Sequence, residues 1–226
     1  MNAQETLQRT QETETLARKL AHVYWIGGSP CSGKSSIVSR LQEQANLVTY
    51  SCDEAFGRHA QAAERDTAPT LFKVTHMDWE TLWMRPVETL FQDEVQVYRE
   101  EWRLIVDDLL ALPSDRPIVA EGAALMPGLV HGILSDPRQA IWVVPSETFQ
   151  REIYPKRGDW VDEILSQCSQ PEQALRNWMD RDVAFARHVS ARSRALALAV
   201  LTVDGSRSID ENATIVAAQF AFKDTR

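Results

Sequence analysis

The stretch HVYWIGGSPCSGKSSIVSRLQEQ, residues 22–44, decides how the chain is read. Residues 22–28 are an apolar run ending in two glycines, the pattern of a buried strand. Ser35 to Gln44 have helical spacing. Between them Gly28-Ser29-Pro30-Cys31-Ser32-Gly33-Lys34-Ser35 fits Gly-x-x-x-x-Gly-Lys-Ser/Thr, in the strand-loop-helix setting that gives this motif its meaning. Gly28 and Gly33 allow torsions closed to other residues, so successive backbone N–H groups can turn inward around phosphate oxygens. The helix start adds the positive end of its dipole. Lys34 supplies a cation for the β- and γ-phosphates, and the Ser35 hydroxyl can ligate magnesium. Ser29, Pro30, Cys31, Ser32 and Ser36 complete the predicted cradle, whose expected ligands are ATP and Mg2+. Cys31 sits where the motif is permissive, so it reads as a spacer rather than a catalyst.

Working outward, four more apolar runs bounded by turn residues predict strands at 47–51, 117–122, 140–144 and 196–203. Helical spacing falls between them, in 79–112, 171–195 and 210–222, and residues 1–21 read as a solvated N-terminal helix. Alternating strands and helices predict an α/β fold with a parallel sheet covered on both faces. Within 79–112, apolar residues from Trp83 to Leu109 recur at steps of three and four, while Pro86 places a break near Arg85. No repeat or linker divides the chain, so 1–226 is expected to form one domain.

Bulk composition narrows the partners. A net charge of −8 disfavours nucleic acid, and no apolar run approaches the roughly 20 residues that cross a bilayer. The polar, Glu-containing start lacks the features of a secretory or transit segment, and Cys31, Cys52 and Cys168 show no paired spacing. The expectation is a cytoplasmic protein without membrane or nucleic-acid partners. Five histidines without metal-ligand spacing read as surface or packing residues.

The phosphate loop, with its strand and helix, resembles the P-loop kinase superfamily. The likeness is to its small-molecule and nucleoside kinase group, which includes shikimate, gluconate, adenylate and chloramphenicol kinases. That resemblance implies a P-loop NTPase fold with sheet order 2-3-1-4-5. A helical acceptor-side insertion (69–112) would lie between strands 2 and 3, and a lid (147–187) after strand 4. It also assigns roles. Asp53, after the second strand, matches the aspartate that binds the acceptor and can act as its base; the competing role is to cap a helix beginning at Glu54. Glu121 ends the third strand, where an acid can serve magnesium or the acceptor hydroxyl, and Gly122 allows close backbone approach. In the lid, Arg151, Arg157, Arg181 and Arg187 are candidates to meet the transferred phosphoryl group, led by Arg181 and Arg187. Six residues separate that pair, so one helix face does not present both, and Asp180 and Asp182 offer each an ordinary ion pair. Gly205 and Ser206 match the loop that packs on the nucleotide base, and equally form a turn before an N-cap at Ser208. Arg58, Trp79 and Trp83 fall on the acceptor side, the tryptophans as an aromatic wall or as the insertion's own core.

The resemblance therefore implies an ATP-dependent phosphotransferase, a small-molecule kinase acting on a hydroxyl. An NTP hydrolase or nucleotide-dependent switch is the second reading, disfavoured by the lack of an Asn-Lys-x-Asp guanine motif. A nucleotide-binding protein without transfer activity is the third.

Overall fold

All five apolar runs form strands. In the computed structural model, which describes residues 3–156 and 158–221, they pair in parallel in the order 2-3-1-4-5. Helix α1 (Ala3–Lys19) leads into β1 (Val23–Gly28), and α2 (Lys34–Gln44) follows the loop. Next come β2 (Val48–Ser51), α3 (Cys52–Ala62), α4 (Pro69–Thr75), α5 (Trp79–Trp83) and α6 (Val87–Ala111). Strand β3 (Ile118–Glu121) leads to α7 (Pro127–His131), and β4 (Ala140–Pro145) to α8 (Glu147–Ile153), α9 (Asp159–Leu165) and α10 (Pro171–Ala195). Strand β5 (Ala199–Val203) and α11 (Ile209–Phe220) complete the order.

The strands lie between two apolar layers, and side-chain alternation sorts residues between them. Ile26, Val119 and Val143 pack with Ile37 of α2 and Val216 of α11. Their neighbours Trp25, Ala120 and Trp142 face the other way, onto Ile105 of α6 and Phe185 of α10. Each such side chain, fully withdrawn from water, contributes roughly 1.5–3 kcal/mol.

Register brings three strand ends together. Glu121 of β3 stands opposite Ile26 of β1 on one side and Ser51 of β2 on the other, while Gly28 stands opposite Val143 of β4. The loop after β1, the start of α3 and the end of β3 thus share one edge of the sheet, the carboxyl edge where open α/β sheets present their ligand sites.

The helical stretch from 69 breaks at Arg85–Pro86, where proline starts the second segment without an interior N–H to satisfy. It does not stand apart. Leu82, Trp83 and Leu90 share a small core with Tyr154, Val161, Leu165 and Trp178, so the insertion and the segment after β4 are clamped together. Glu80 accepts hydrogen bonds from Ser169 N and Oγ, both at 2.7 Å, and Asn177 donates to the Trp83 carbonyl at 2.8 Å. No helix among the described residues is long and apolar enough to cross a membrane.

Candidate functional site

The turn between β1 and α2 is dictated by its glycines. Gly28 has φ +144° and lies against the Val143 carbonyl, leaving no room for a Cβ. Gly33, at φ +78°, caps α2 without a side chain, so the first N–H groups of that helix open into the loop. The Lys34 side chain bends back over the turn. Its Nζ lies 2.9 Å from the Ser29 carbonyl and 3.5 Å from Ser32 Oγ, and Ser32 Oγ donates to the same carbonyl at 2.9 Å. Lys34 is 8% exposed, so its charge is held at the loop rather than spent in solvent.

Glu121 faces this loop from the neighbouring strand. Its Oε1 accepts from Ser35 Oγ at 2.9 Å and from Ser51 Oγ at 3.2 Å, while its Oε2 is buried without a hydrogen-bond partner. Burial pushes the Glu121 carboxyl above its ordinary range, and Lys34 and the two hydroxyl bonds hold it back. A carboxylate and two hydroxyls form the hard oxygen set that suits Mg2+, a metal that retains waters and takes only a few protein ligands. The described residues contain no cluster of three or more His, Cys, Asp or Glu able to hold a metal by themselves. Gly122 has a different reason for being glycine. At φ +153° it rests on the Cys52 side chain, and it is not part of the neighbouring cavity's wall.

Asp53 is not a helix cap. The cap of α3 is Ser51, which accepts from Glu54 N, so Asp53 falls in the first turn with its carboxylate on the wall of a cavity of about 470 Å³. Among the described residues it has no hydrogen-bond or ion-pair partner. Pro30 and Lys34 line the same cavity, so the loop and Asp53 open onto one space. Its remaining walls come from far along the chain: Phe56 of α3, Trp83 of α5, Glu94, Tyr98 and Glu101 of α6, Trp160 of α9, and Trp178 and Arg181 of α10. Trp83 and Trp178 stack at 4.1 Å between centroids, and Arg181 lies over the Trp83 ring at 4.9 Å.

The two leading arginines separate. Arg181 lines the cavity, bound to Asp182 and 3.3 Å from Glu94 Oε2. Burial works against its charge, but the carboxylates of Asp182 and Glu94 hold it firmly protonated. Arg187 lies six residues on, 73% exposed, paired with Glu147 at 2.6 Å and absent from the cavity wall. Arg151 joins Glu147 and Asp180 in the same surface network, and Arg157 lies outside the described residues. The expectation of an Arg181–Arg187 clamp is therefore corrected: a six-residue step on one rigid helix sends the two guanidinium groups to different surroundings. Arg58 is likewise exposed, paired with Asp108 at 3.0 Å, and outside the cavity.

Gly205 packs against the Phe149 ring, and Ser208 forms a full capping box with Glu211, so the turn reading accounts for both. This turn nevertheless lies beside the loop, because Ile209 reaches to within 3.2 Å of where a Gly33 Cβ would stand. Ile209, partly exposed there, was not singled out from the sequence. Ser36 lies in the first turn of α2, exposed to solvent.

Sequence reading also missed the acids of α6. Glu94, Glu101 and Asp108 stand at steps of seven, which stacks them on one helix face. Glu101 Oε1 is 2.8 Å from His59 Nδ1, and His59 Nε2 is 3.1 Å from Asp108 Oδ2, which also accepts from Tyr50 OH and Arg58. His59 was read as a surface or packing residue; it is buried, and it links a cavity carboxylate to a surface one. The seven-residue step, acids interrupting an apolar stripe, was the available signal.

No protein-family model and no curated protein matches the chain. Among solved structures it is similar to the crystal structure of TT1252 from Thermus thermophilus, at 18% identity and a TM-score of 0.49, over 89% of this chain and 97% of that one.

Proposed function

We propose that the chain has a P-loop NTPase fold and is an ATP- and Mg2+-dependent phosphotransferase that moves the γ-phosphoryl group to a hydroxyl of a small molecule. The observation that carries this reading is that Lys34 and Asp53 line one cavity, a cation at the donor side and an unpaired carboxylate at the acceptor side. The N–H groups from Cys31 to Ser36 receive the polyphosphate, with Ser32 Oγ and Lys34 Nζ beside them. Ser35 and Glu121, hydrogen-bonded to each other beside the loop, would hold magnesium, which would supply neutralisation of the phosphate charge. The turn at Gly205, with Ile209, offers an apolar surface for the base.

On the acceptor side, Asp53 orients the hydroxyl and accepts its proton as the oxygen attacks the γ-phosphorus. The bond to the β–γ bridging oxygen breaks, and ADP carries that electron pair away. Lys34 counters the charge gathering on the transferred group. Aromatic walls exclude water, which supports transfer to an acceptor over hydrolysis.

The test is labelled ATP incubated with a panel of hydroxylated metabolites, nucleosides and sugar acids, using Lys34→Ala as control. Transfer to an acceptor, lost in the control, is expected. Strong hydrolysis with transfer to none would sink the kinase reading, and a control as active as the parent would sink the assignment of the loop.

A further inference from the structure

The cavity's charges are largely consumed among themselves. Arg85 is bound to Asp93 at 2.6 Å, and Lys73 reaches the same carboxylate at 2.7 Å. Arg181 is held by Asp182 and Glu94. Lys34 points back to the loop. The wall carries the cations Lys34, Arg85 and Arg181 against the carboxylates Asp53, Asp93, Glu94 and Glu101, so acids outnumber bases there, and Asp53 stands unpaired where an acceptor would sit.

What the wall does leave open is a set of buried hydrogen-bonding atoms without partners. Glu101, 1% exposed, gives one oxygen to His59 and has no partner for the other. Glu94 accepts from Tyr98 OH through Oε1, while its Oε2 is close enough to attract Arg181 but outside hydrogen-bond geometry. Trp83 Nε1 and Arg85 Nη2 are buried donors, also without partners. Leaving such groups unmatched is costly, so a ligand that answers them gains correspondingly. Two acceptors and two donors set among tryptophans are answered by a molecule with an apolar ring and both kinds of polar group. A carboxylate or phosphate brings acceptors only, into a wall whose unmatched carboxylates repel it.

We propose that this cavity binds an uncharged, ring-bearing hydroxyl compound carrying both donors and acceptors, received by Glu101, Glu94, Trp83 and Arg85, and that it rejects carboxylate- and phosphate-bearing acceptors. That the bound compound is a phosphoryl acceptor rests on the function proposed above; its binding does not.

The experiment therefore reads binding to the full chain without nucleotide. A library of hydroxylated ring compounds, half uncharged and half carrying a carboxylate or phosphate monoester, is screened by thermal shift, and hits are titrated by calorimetry. Uncharged compounds are expected to dominate the hits. Glu101→Gln, which replaces an open acceptor by a donor, is expected to weaken the best hits about tenfold, whereas Arg187→Ala, outside the cavity, retains them. Should Glu101→Gln fail to fold, Glu94→Gln serves the same purpose two turns earlier on the same face of α6. Anionic compounds dominating the hits, an absence of hits, or unchanged affinity in the folded variant each overturn the proposal. Uncharged hits that bind but receive no phosphate from ATP would count against the phosphotransferase reading alone. Phosphorylation of anionic acceptors would count against this inference alone.

Discussion

The loop after β1 and the cavity wall opposite it are built by different means. In the loop, backbone does the shaping: Gly28 closes against Val143, Gly33 opens α2, and contacts from Ser29 to Lys34 span five residues at most. In the cavity, side chains do it, drawn from α3, α5, α6, α9 and α10, with bonds such as Asn177 to Trp83 spanning 94 residues. A site shaped by backbone is written locally and can be recognised from a short motif. A site shaped by side chains exists only once several helices have found their registers.

Asp53 is where the two meet, so altering it breaks the comparison most directly. Asp53→Asn keeps the volume and removes the base, and is expected to lower kcat by about 10²–10⁴-fold with ATP binding unchanged. Steady-state kinetics with ATP affinity measured in parallel check this. A variant that loses ATP affinity in proportion would move Asp53 to the loop side. Gly28→Ala tests the other pole. A Cβ there meets the Val143 carbonyl at a torsion L-residues avoid, so a loss of about 3 kcal/mol or more is expected by denaturant titration. A loss near zero would mean that the loop is not fixed by its backbone.

That division explains what the sequence disclosed. The five strands, the break at Pro86 and the loop were readable because each depends on local spacing or on a residue whose torsions are special. The position of Asp53 was readable but its freedom from capping was not, since α3 begins at Cys52 and Ser51 takes the cap. Arg181 and Arg187 were read as equals, yet which face of α10 meets Trp83 is set by packing between helices distant in sequence. Glu94 and Glu101 were overlooked because an acid within an apolar stripe announces nothing until the space beside it is known.

The buried acids supply a pH test of the cavity side. Burial lifts Glu94 from 4.5 to about 7, with Arg181 pulling down and Asp182 pushing up. A carboxyl whose folded pKa is raised holds its proton more tightly folded than unfolded. Its contribution therefore favours folding at low pH and is lost as pH rises from about 4.5 to about 7. Glu94→Gln removes this dependence, so its stability relative to the parent should improve across that window, by an amount of order 1–3 kcal/mol. Urea titrations of both proteins at several pH values measure the difference. A constant difference would mean that Glu94 is already charged throughout, and that Arg181 compensates it fully.

Arg187 gives the smallest expected effect and the sharpest check on where the acceptor half ends. Its guanidinium is largely solvated, and its pair with Glu147 is a surface one, worth at most about 1 kcal/mol. Arg187→Ala should accordingly leave kcat within about twofold and stability within about 1 kcal/mol. The same reasoning separates it from Arg181, whose removal would strand Asp182, a buried carboxylate otherwise held, among the described residues, by Tyr154 OH. If Arg187→Ala instead cost two orders of magnitude in kcat with unchanged KM, the side chain would have to reach the transferred phosphoryl group during turnover. Glu147 would then be a parking place released on closure, and Glu147→Gln would raise kcat by freeing the arginine. Static pairing on the surface predicts no such rise, so the two variants together decide whether α10 contributes one arginine to the site or two.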